Sequence, residues 1–382
     1  MKRLVYLDNA ATTQPFPEVL DAMIPYYSRY YGNPTSRYEL GEESKRAISL
    51  SRKWIADTLQ VAPETIYFTS GGTESDNWVL MFAAKISGKR RPHIITSAIE
   101  HPAILNTCKN LEKNGVRVTY LPVNREGLVS PEHVERAICP DTVLVSVMYA
   151  NNEIGSIQPI STIAKIAHKY QVLFHTDAVQ AYGQIPIRVK EEEIDLLSAS
   201  GHKFNGPKGT GFLYARREVN LQPMIHGGGQ ERKMRSGTEN VPGIVGIGRA
   251  ARYSAEILEK KMRYEKMLQN YLIDRILKEI PGSSLNGSPT KRLPNNINIS
   301  IAGINGPAVV ALLDLEGICA SSASACQAGM QKASHVQLAI GKSEQQAYEA
   351  IRFTLGVHNT REEMDYTVDI LKKCVTKLRD SS

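Results

Sequence analysis

Short runs rich in aliphatic and β-branched residues recur along the first two-thirds of the chain. Longer stretches separate them, with apolar positions returning every three or four residues. The runs at 65–69, 94–97, 116–121, 143–149, 172–176 and 194–199 read as strands. They are largely continuous in apolar character rather than alternating, the mark of strands covered on both faces. Between them the spacing predicts amphipathic helices: Ile48, Ile55 and Leu59 share a face over 41–59, and Ile163, Ile166 and Ala167 do so over 160–170. Strands and helices alternating this way build a mostly parallel sheet flanked by helices, which takes ligands where strand ends run into loops.

From about 241 to 280 the pattern becomes one long charged helix. A turn-rich stretch follows, and a strand at 297–301 opens a second, smaller α/β unit. The expected division is a large domain over 12–257 and a small one over 258–382 joined by 1–11, with the boundary inside the long helix. A length of 382 residues agrees with two or three domains at roughly 150 residues each.

Hydrophobic residues make up 42% of the chain and charged residues 22%, which argues for a packed globule and against disorder. The longest apolar stretches, such as 308–313, fall far short of the roughly 18 residues that cross a bilayer. The apolar run at 4–7 is too short for a secretory segment. Neither a membrane nor a secreted protein is expected. With 46 basic and 39 acidic residues the net charge is only +7, and basic runs such as Lys89-Arg90-Arg91 are short. They read as solvated faces, so no direct nucleic-acid contact is expected. Five cysteines, Cys108, Cys139, Cys319, Cys326 and Cys374, include no C-x2-C pair. That predicts no metal site and free thiols in a reducing, cytoplasmic setting.

Candidate chemistry lies in loops that follow strands. After 65–69 comes SGGTESDN, where Gly71 and Gly72 let backbone N–H groups approach an anion and Thr73 adds a hydroxyl. The plain alternative is an N-cap ahead of an apolar helix beginning near Trp78. After 172–176 comes Asp177, whose carboxylate leaves a buried strand and needs a cation or strong donors. A helix cap would satisfy it, and so would the protonated ring nitrogen of a cofactor. After 194–199 comes SGHKFNGPKG, where Lys203 is either a surface lysine or a desolvated, nucleophilic amine. The GPKG run lacks the spacing of a Walker motif. A nucleophilic lysine, a carboxylate for a pyridinium and a phosphate cradle are together what pyridoxal phosphate requires. His101, in EHPAI, adds a flat ring.

Ten segments carry a resemblance nearly from end to end: YLDNAATT, GNPTS, FTSGGTESDN, EHPAI, NNEIGSIQPI, HTDAVQAYG, SGHKFNGPKGTGFLY, GGGQERKMRSGTENV, SSASACQAG and RFTLG. In this order they resemble the cysteine desulfurases, within the class V group of fold-type I pyridoxal-phosphate enzymes. The resemblance implies that Lys203 holds pyridoxal 5'-phosphate covalently, Asp177 binds the pyridine nitrogen and Gln180 bonds the ring hydroxyl. It makes Gly72, Thr73, Ser200 and His202 phosphate ligands, and has His101 lie against the ring and assist proton movement. Thr238 would reach the cofactor of a neighbouring subunit, which implies a homodimer. Asn152 would contact cofactor and substrate, Arg352 would grip the substrate carboxylate, and Asn33 is a further substrate contact.

Cys326, among small polar residues in SSASAC, would be the reactive thiol. His335, nine residues later, fits the longer-loop subgroup, while Ala323 stands where the family has glycine. Cys108, Cys139, Cys319 and Cys374 read as structural. The implied reaction converts L-cysteine to L-alanine, with sulfur held as a persulfide on Cys326. An acceptor protein, an iron–sulfur scaffold or a thiolation enzyme, would then take it. Alternatives are a selenocysteine lyase or cysteine sulfinate desulfinase, and, in another class, a non-catalytic sulfur-relay scaffold. An aminotransferase would not need the thiol segment.

Overall fold

A computed structural model describes residues 4–86, 91–322, 326–327, 330–331 and 333–380; for residues 86, 326, 327, 330 and 331 it describes the backbone alone. Seven strands form the main sheet in the spatial order Ile66–Thr69, Gly211–Ala215, Leu196–Ser200, Leu173–Asp177, Thr142–Ser146, His93–Ser97 and Arg117–Leu121. All neighbouring pairs are parallel except those made by Gly211–Ala215, which runs against both neighbours. That strand was not among the runs singled out above, because GTGFLYA begins with small turn-forming residues.

Two apolar layers cover the sheet. One includes Ile55, Val145, Phe174, Phe204, Phe212 and Ile247; the other gathers Trp78, Leu80, Ile94, Leu144 and Leu213. Adjacent strand positions supply opposite layers, as Leu144 and Val145 do, which is why these strands are apolar throughout.

The long helix, Val241–Glu279, ties this unit to the next. Its first turns, Ile244 to Ala251, pack into the main core, and Leu268, Leu272 and Ile276 pack into the second. Close approach to helix Glu39–Leu59 depends on Gly248, where an added Cβ would lie 2.5 Å from the Cβ of Ser51. The second core covers an antiparallel sheet ordered Ser321–Ser322, Ala350–Thr354, Asn296–Ile301 and Ser283–Leu285. The chain start joins it: Val5 and Leu7 are fully buried there, and Val5–Tyr6 pairs with Ile318–Cys319. The next residues, 8–13, leave this core and cross to the carboxyl end of the main sheet. Thr13 donates its backbone N–H to the carbonyl of His202 there, at 2.8 Å.

Candidate active site

Strand ends of the main sheet converge on a cavity of about 310 Å³. Its lining brings together Gly72, Thr73, His101, Asn152, Asp177, Gln180, Ser200, His202, Lys203 and Arg352, all expected at a site from sequence. Each arrives by a separate local route. Asp177 closes strand Leu173–Asp177 rather than following it, and Ser200 closes the neighbouring strand, Leu196–Ser200. A single 3-10 turn, Gly201–Lys203, then swings Lys203 over the strand ends. Helix Gly72–Ile86 begins at Gly72, not near Trp78, so Gly72 and Thr73 form its first turn and its free N–H end faces the cavity. Gly72 is required by packing: a Cβ would stand 2.5 Å from Val179 Cγ2.

Lys203 is the nucleophile candidate. Its Nζ donates to the carbonyls of Ala10 and Ala11 at 2.6 and 2.8 Å, so the crossing segment 8–13 holds the amine in place. Burial, and then the positive charge of Arg352, lowers its pKa to about 8 against the pull of Asp8 and Asp177. An amine so placed is neutral far more often than a surface lysine, and so more nucleophilic. Asp177 is 5% exposed, and its Oδ1 accepts the N–H of Val179 at 2.9 Å. Burial raises its pKa, while His101 and Lys203 oppose the rise.

Two further acids that sequence reasoning passed over lie against it. Asp76, fully buried, lines the cavity with its Oδ1 unbonded among the described residues, and burial and Asp177 drive its pKa well up. Glu100 is buried too and is raised to about 8, although Ser97 Oγ and the Met148 N–H donate to it. Carboxyls crowded in a dry site do not all ionise, so the cluster carries less negative charge than its count of acids.

His101 caps helix Pro102–Lys113, its Nδ1 accepting the Ala103 N–H at 3.2 Å. Its ring opens to the cavity, yet enough protein surrounds it for burial to lower its pKa. His202 is lowered to about 4 by burial and by Lys203 and Lys208, and its Nδ1 lies 3.2 Å from Thr12 Oγ1. Both rings are therefore neutral near pH 7. Gln180 donates to the Ala10 carbonyl at 3.0 Å.

Arg352 sits on an inner strand of the second sheet, Ala350–Thr354, so this cavity joins the two cores. It donates to the Asn152 carbonyl at 3.0 Å and to Asp8 Oδ1 at 2.7 Å, and its Nε has no partner among the described residues. The Asp8 pairing is a further feature that sequence reading missed, although Asp8 lies inside the quoted YLDNAATT.

Of the other expected residues, Thr238 and Asn33 do not line this cavity, and Cys326 is described by its backbone alone. Thr238 lines a separate cleft of about 240 Å³ with Thr69, Ser70, Glu231 and Arg235. Asn33 is exposed on a turn, its Oδ1 accepting from the Thr35 N–H and hydroxyl. The backbone of Cys326 pairs with that of Gln331 in a short antiparallel ladder; its side chain, like the whole of Ala323, lies outside the described residues. His335 is described and donates Nε2–H to the Glu100 carbonyl at 2.9 Å. Of the other thiols, Cys108 and Cys374 are buried, whereas Cys319 and Cys139 are only half-buried. Cys139 meets Arg117 Nη2 at 2.5 Å, and its pKa is lowered despite some burial. Among the described residues no helix is long and apolar enough to cross a membrane, and no group of His, Cys, Asp and Glu is arranged to hold a metal ion.

The family model described as "Aminotransferase class-V" matches residues 5–367. A cysteine desulfurase IscS of Methanosarcina thermophila is 50% identical over 380 residues, covering 100% of this chain and 94% of that protein. One from Dictyoglomus turgidum is 46% identical over 382 residues, covering 100% and 97%. Among solved structures, a NifS-like protein superposes with a TM-score of 0.93 at 40% identity, covering 99% of this chain and 100% of that one. A structure titled "SspA in complex with cysteine" gives 0.83 at 37% identity, covering 94% and 100%.

Proposed function

The chain belongs to the class-V aminotransferase family, and from that premise we propose that it is a pyridoxal-phosphate-dependent cysteine desulfurase. It takes L-cysteine to L-alanine and passes the sulfur, through Cys326, to an acceptor protein for iron–sulfur assembly or thiolation. The observation that carries the reading is the convergence of a lysine amine with pKa about 8, the buried Asp177 carboxyl and the Arg352 guanidinium on one cavity. A relative captured with cysteine supports the substrate.

The residues present fit the cofactor. Asp177 is a buried carboxyl with one backbone donor, and a protonated ring nitrogen would offset the cost of ionising it there. The helix start at Gly72 and Thr73, with Ser200 and His202, offers donors to a phosphate, and Gln180 and Asn152 border the ring space. When bound, pyridoxal phosphate supplies an electron sink for the pair left at the substrate Cα. The protein's residues do the rest. Arg352 takes the substrate carboxylate in a two-pronged hydrogen bond. The Lys203 amine takes the Cα proton on Nζ, with neutral His101 at hand as acceptor or donor. The Cys326 thiolate then forms an S–S bond to the substrate sulfur as the Cβ–S bond breaks. The carbon fragment keeps the bonding pair, is protonated and leaves as alanine, and Cys326 is left as a persulfide.

The same reading makes the protein a homodimer in which Thr238 serves the neighbouring subunit. The exposed Leu20, Ile24, Tyr27, Tyr31 and Tyr38 offer apolar surface for that contact. Free Cys108, Cys139, Cys319 and Cys374 favour the cytoplasm as its compartment. The test is Cys326→Ser, which should keep the visible cofactor band and lose alanine formation from cysteine. Retained alanine formation would refute the role of Cys326, and the absence of any band after reconstitution of the wild type would refute the cofactor.

A further inference from the structure

The segment that carries Cys326 leaves the second sheet at Ser321–Ser322 and is described continuously again from Ala333. Both ends lead to Arg352. At the near end, Ser321 pairs directly with Arg352 across the antiparallel ladder. At the far end, Ser334 Oγ bonds Glu153 Oε2 at 2.6 Å. The direction of that bond follows from counting. Ser334 Oγ already accepts the N–H groups of Val336 and Gln337, at 3.1 and 3.2 Å, as cap of helix His335–Ala339. A hydroxyl has two acceptor sites and one proton, so its proton goes to Glu153.

Glu153 is in turn fixed around Arg352. Its carbonyl accepts from Asn298 Nδ2 at 3.1 Å, and Asn298 is the residue opposite Arg352 on the other side of that strand. The preceding residue, Asn152, accepts Arg352 Nη1–H at its carbonyl. Burial pushes the Glu153 carboxyl up to about 7, with Ser334 and Arg352 pulling it back. A second tie, His335 Nε2–H to the Glu100 carbonyl, fastens the same far end beside His101.

We propose that Glu153 is a positioning residue: through Ser334 it moors the far end of the segment that carries Cys326 to the junction where Arg352 is held. This rests on the desulfurase reading for its purpose, but the mooring is a property of the fold. Glu153 does not line the cavity and acts through Ser334.

The test measures alkylation of Cys326 by iodoacetamide in the holoenzyme, quantified by peptide mass spectrometry, alongside alanine-forming kinetics. Glu153→Ala removes the acceptor. It should change the Cys326 alkylation rate by about threefold or more and lower kcat by about tenfold, with KM for cysteine within about twofold, as for a lost buried hydrogen bond. Glu153→Gln keeps an oxygen for Ser334 and should restore both readouts to within about twofold of wild type. Ser343→Ala removes a similar cap from the next helix, Glu344–Tyr348, and should change neither. The proposal is overturned if Glu153→Ala leaves Cys326 alkylation unchanged, if Glu153→Gln fails to restore it, or if Ser343→Ala alters it equally. Should Glu153→Ala not fold, Ser334→Ala is judged by the same criteria. A wild-type protein that binds cofactor but forms no alanine would sink the desulfurase reading, while alkylation would still decide the mooring.

Discussion

The value of about 8 for Lys203 makes a quantitative claim about how fast the cofactor-free protein takes up its aldehyde. Only the neutral amine attacks a carbonyl. At pH 7 an amine with pKa about 8 is neutral in about one molecule in ten, against about three in ten thousand at the ordinary 10.5, a ratio of roughly 300. Burial is the larger cause and Arg352 the second, while Asp8 and Asp177 work the other way. The initial rate of pyridoxal phosphate incorporation, followed by absorbance, should therefore rise with pH and level off past about pH 8. Arg352→Gln removes the second cause and should move the inflection upward; Asp177→Asn removes an opposing charge and should move it downward. Most of the displacement from 10.5 should survive Arg352→Gln, because burial is untouched. An inflection at or above about pH 10 in the wild type would refute the claim that the fold desolvates this amine.

Further expectations follow from single contacts. Gly72→Ala places a Cβ against Val179 Cγ2 and should destabilise by about 1–3 kcal/mol and reduce cofactor retention; Gly72→Ala combined with Val179→Ala should recover both in thermal melts and absorbance, and no recovery would put the cost elsewhere. Glu100, raised to about 8, holds its proton in the fold when the unfolded chain has lost it. Its contribution to stability is complete below about pH 4.5 and declines as pH rises to about 8, by up to about 4–5 kcal/mol. Urea titrations should thus show Glu100→Gln gaining on the wild type between about pH 5 and 8; parallel curves would mean that Glu100 is not desolvated. Arg352→Lys loses the planar fork and should raise KM for cysteine by about 10–100-fold while cofactor binding persists; an unchanged KM would remove Arg352 from substrate binding.

Legibility along the chain varied with how local the cause was. The strand ahead of Lys203 and the helix from Val241 were readable because apolar spacing is a property of neighbouring residues. The helix start was misplaced near Trp78 because Gly72, Thr73 and Glu74 have weak or capping character on their own. In the fold, Glu74 pairs with Arg235, a residue 161 positions away, and its Oε2 accepts the Ser70 N–H, which settles the first turn. The strand Gly211–Ala215 was missed for a related reason: its antiparallel placement between two distant strands is decided by pairing, not by its own pattern.

By itself, then, the sequence determined the alternation that builds a parallel sheet and the residue types able to run the chemistry, since side-chain functional groups and apolar periodicity are written residue by residue. It did not determine that Asp8 would pair with Arg352, that the carbonyls of Ala10 and Ala11 would hold the Lys203 amine, or that Asp76 and Glu100 would crowd Asp177. Those are outcomes of tertiary structure. The first residues pair with the second core and then cross to the main sheet, so groups about 190 and 340 positions apart come within hydrogen-bond reach. Burial then sets which of them hold their protons, and burial depends on what the rest of the chain places around a group.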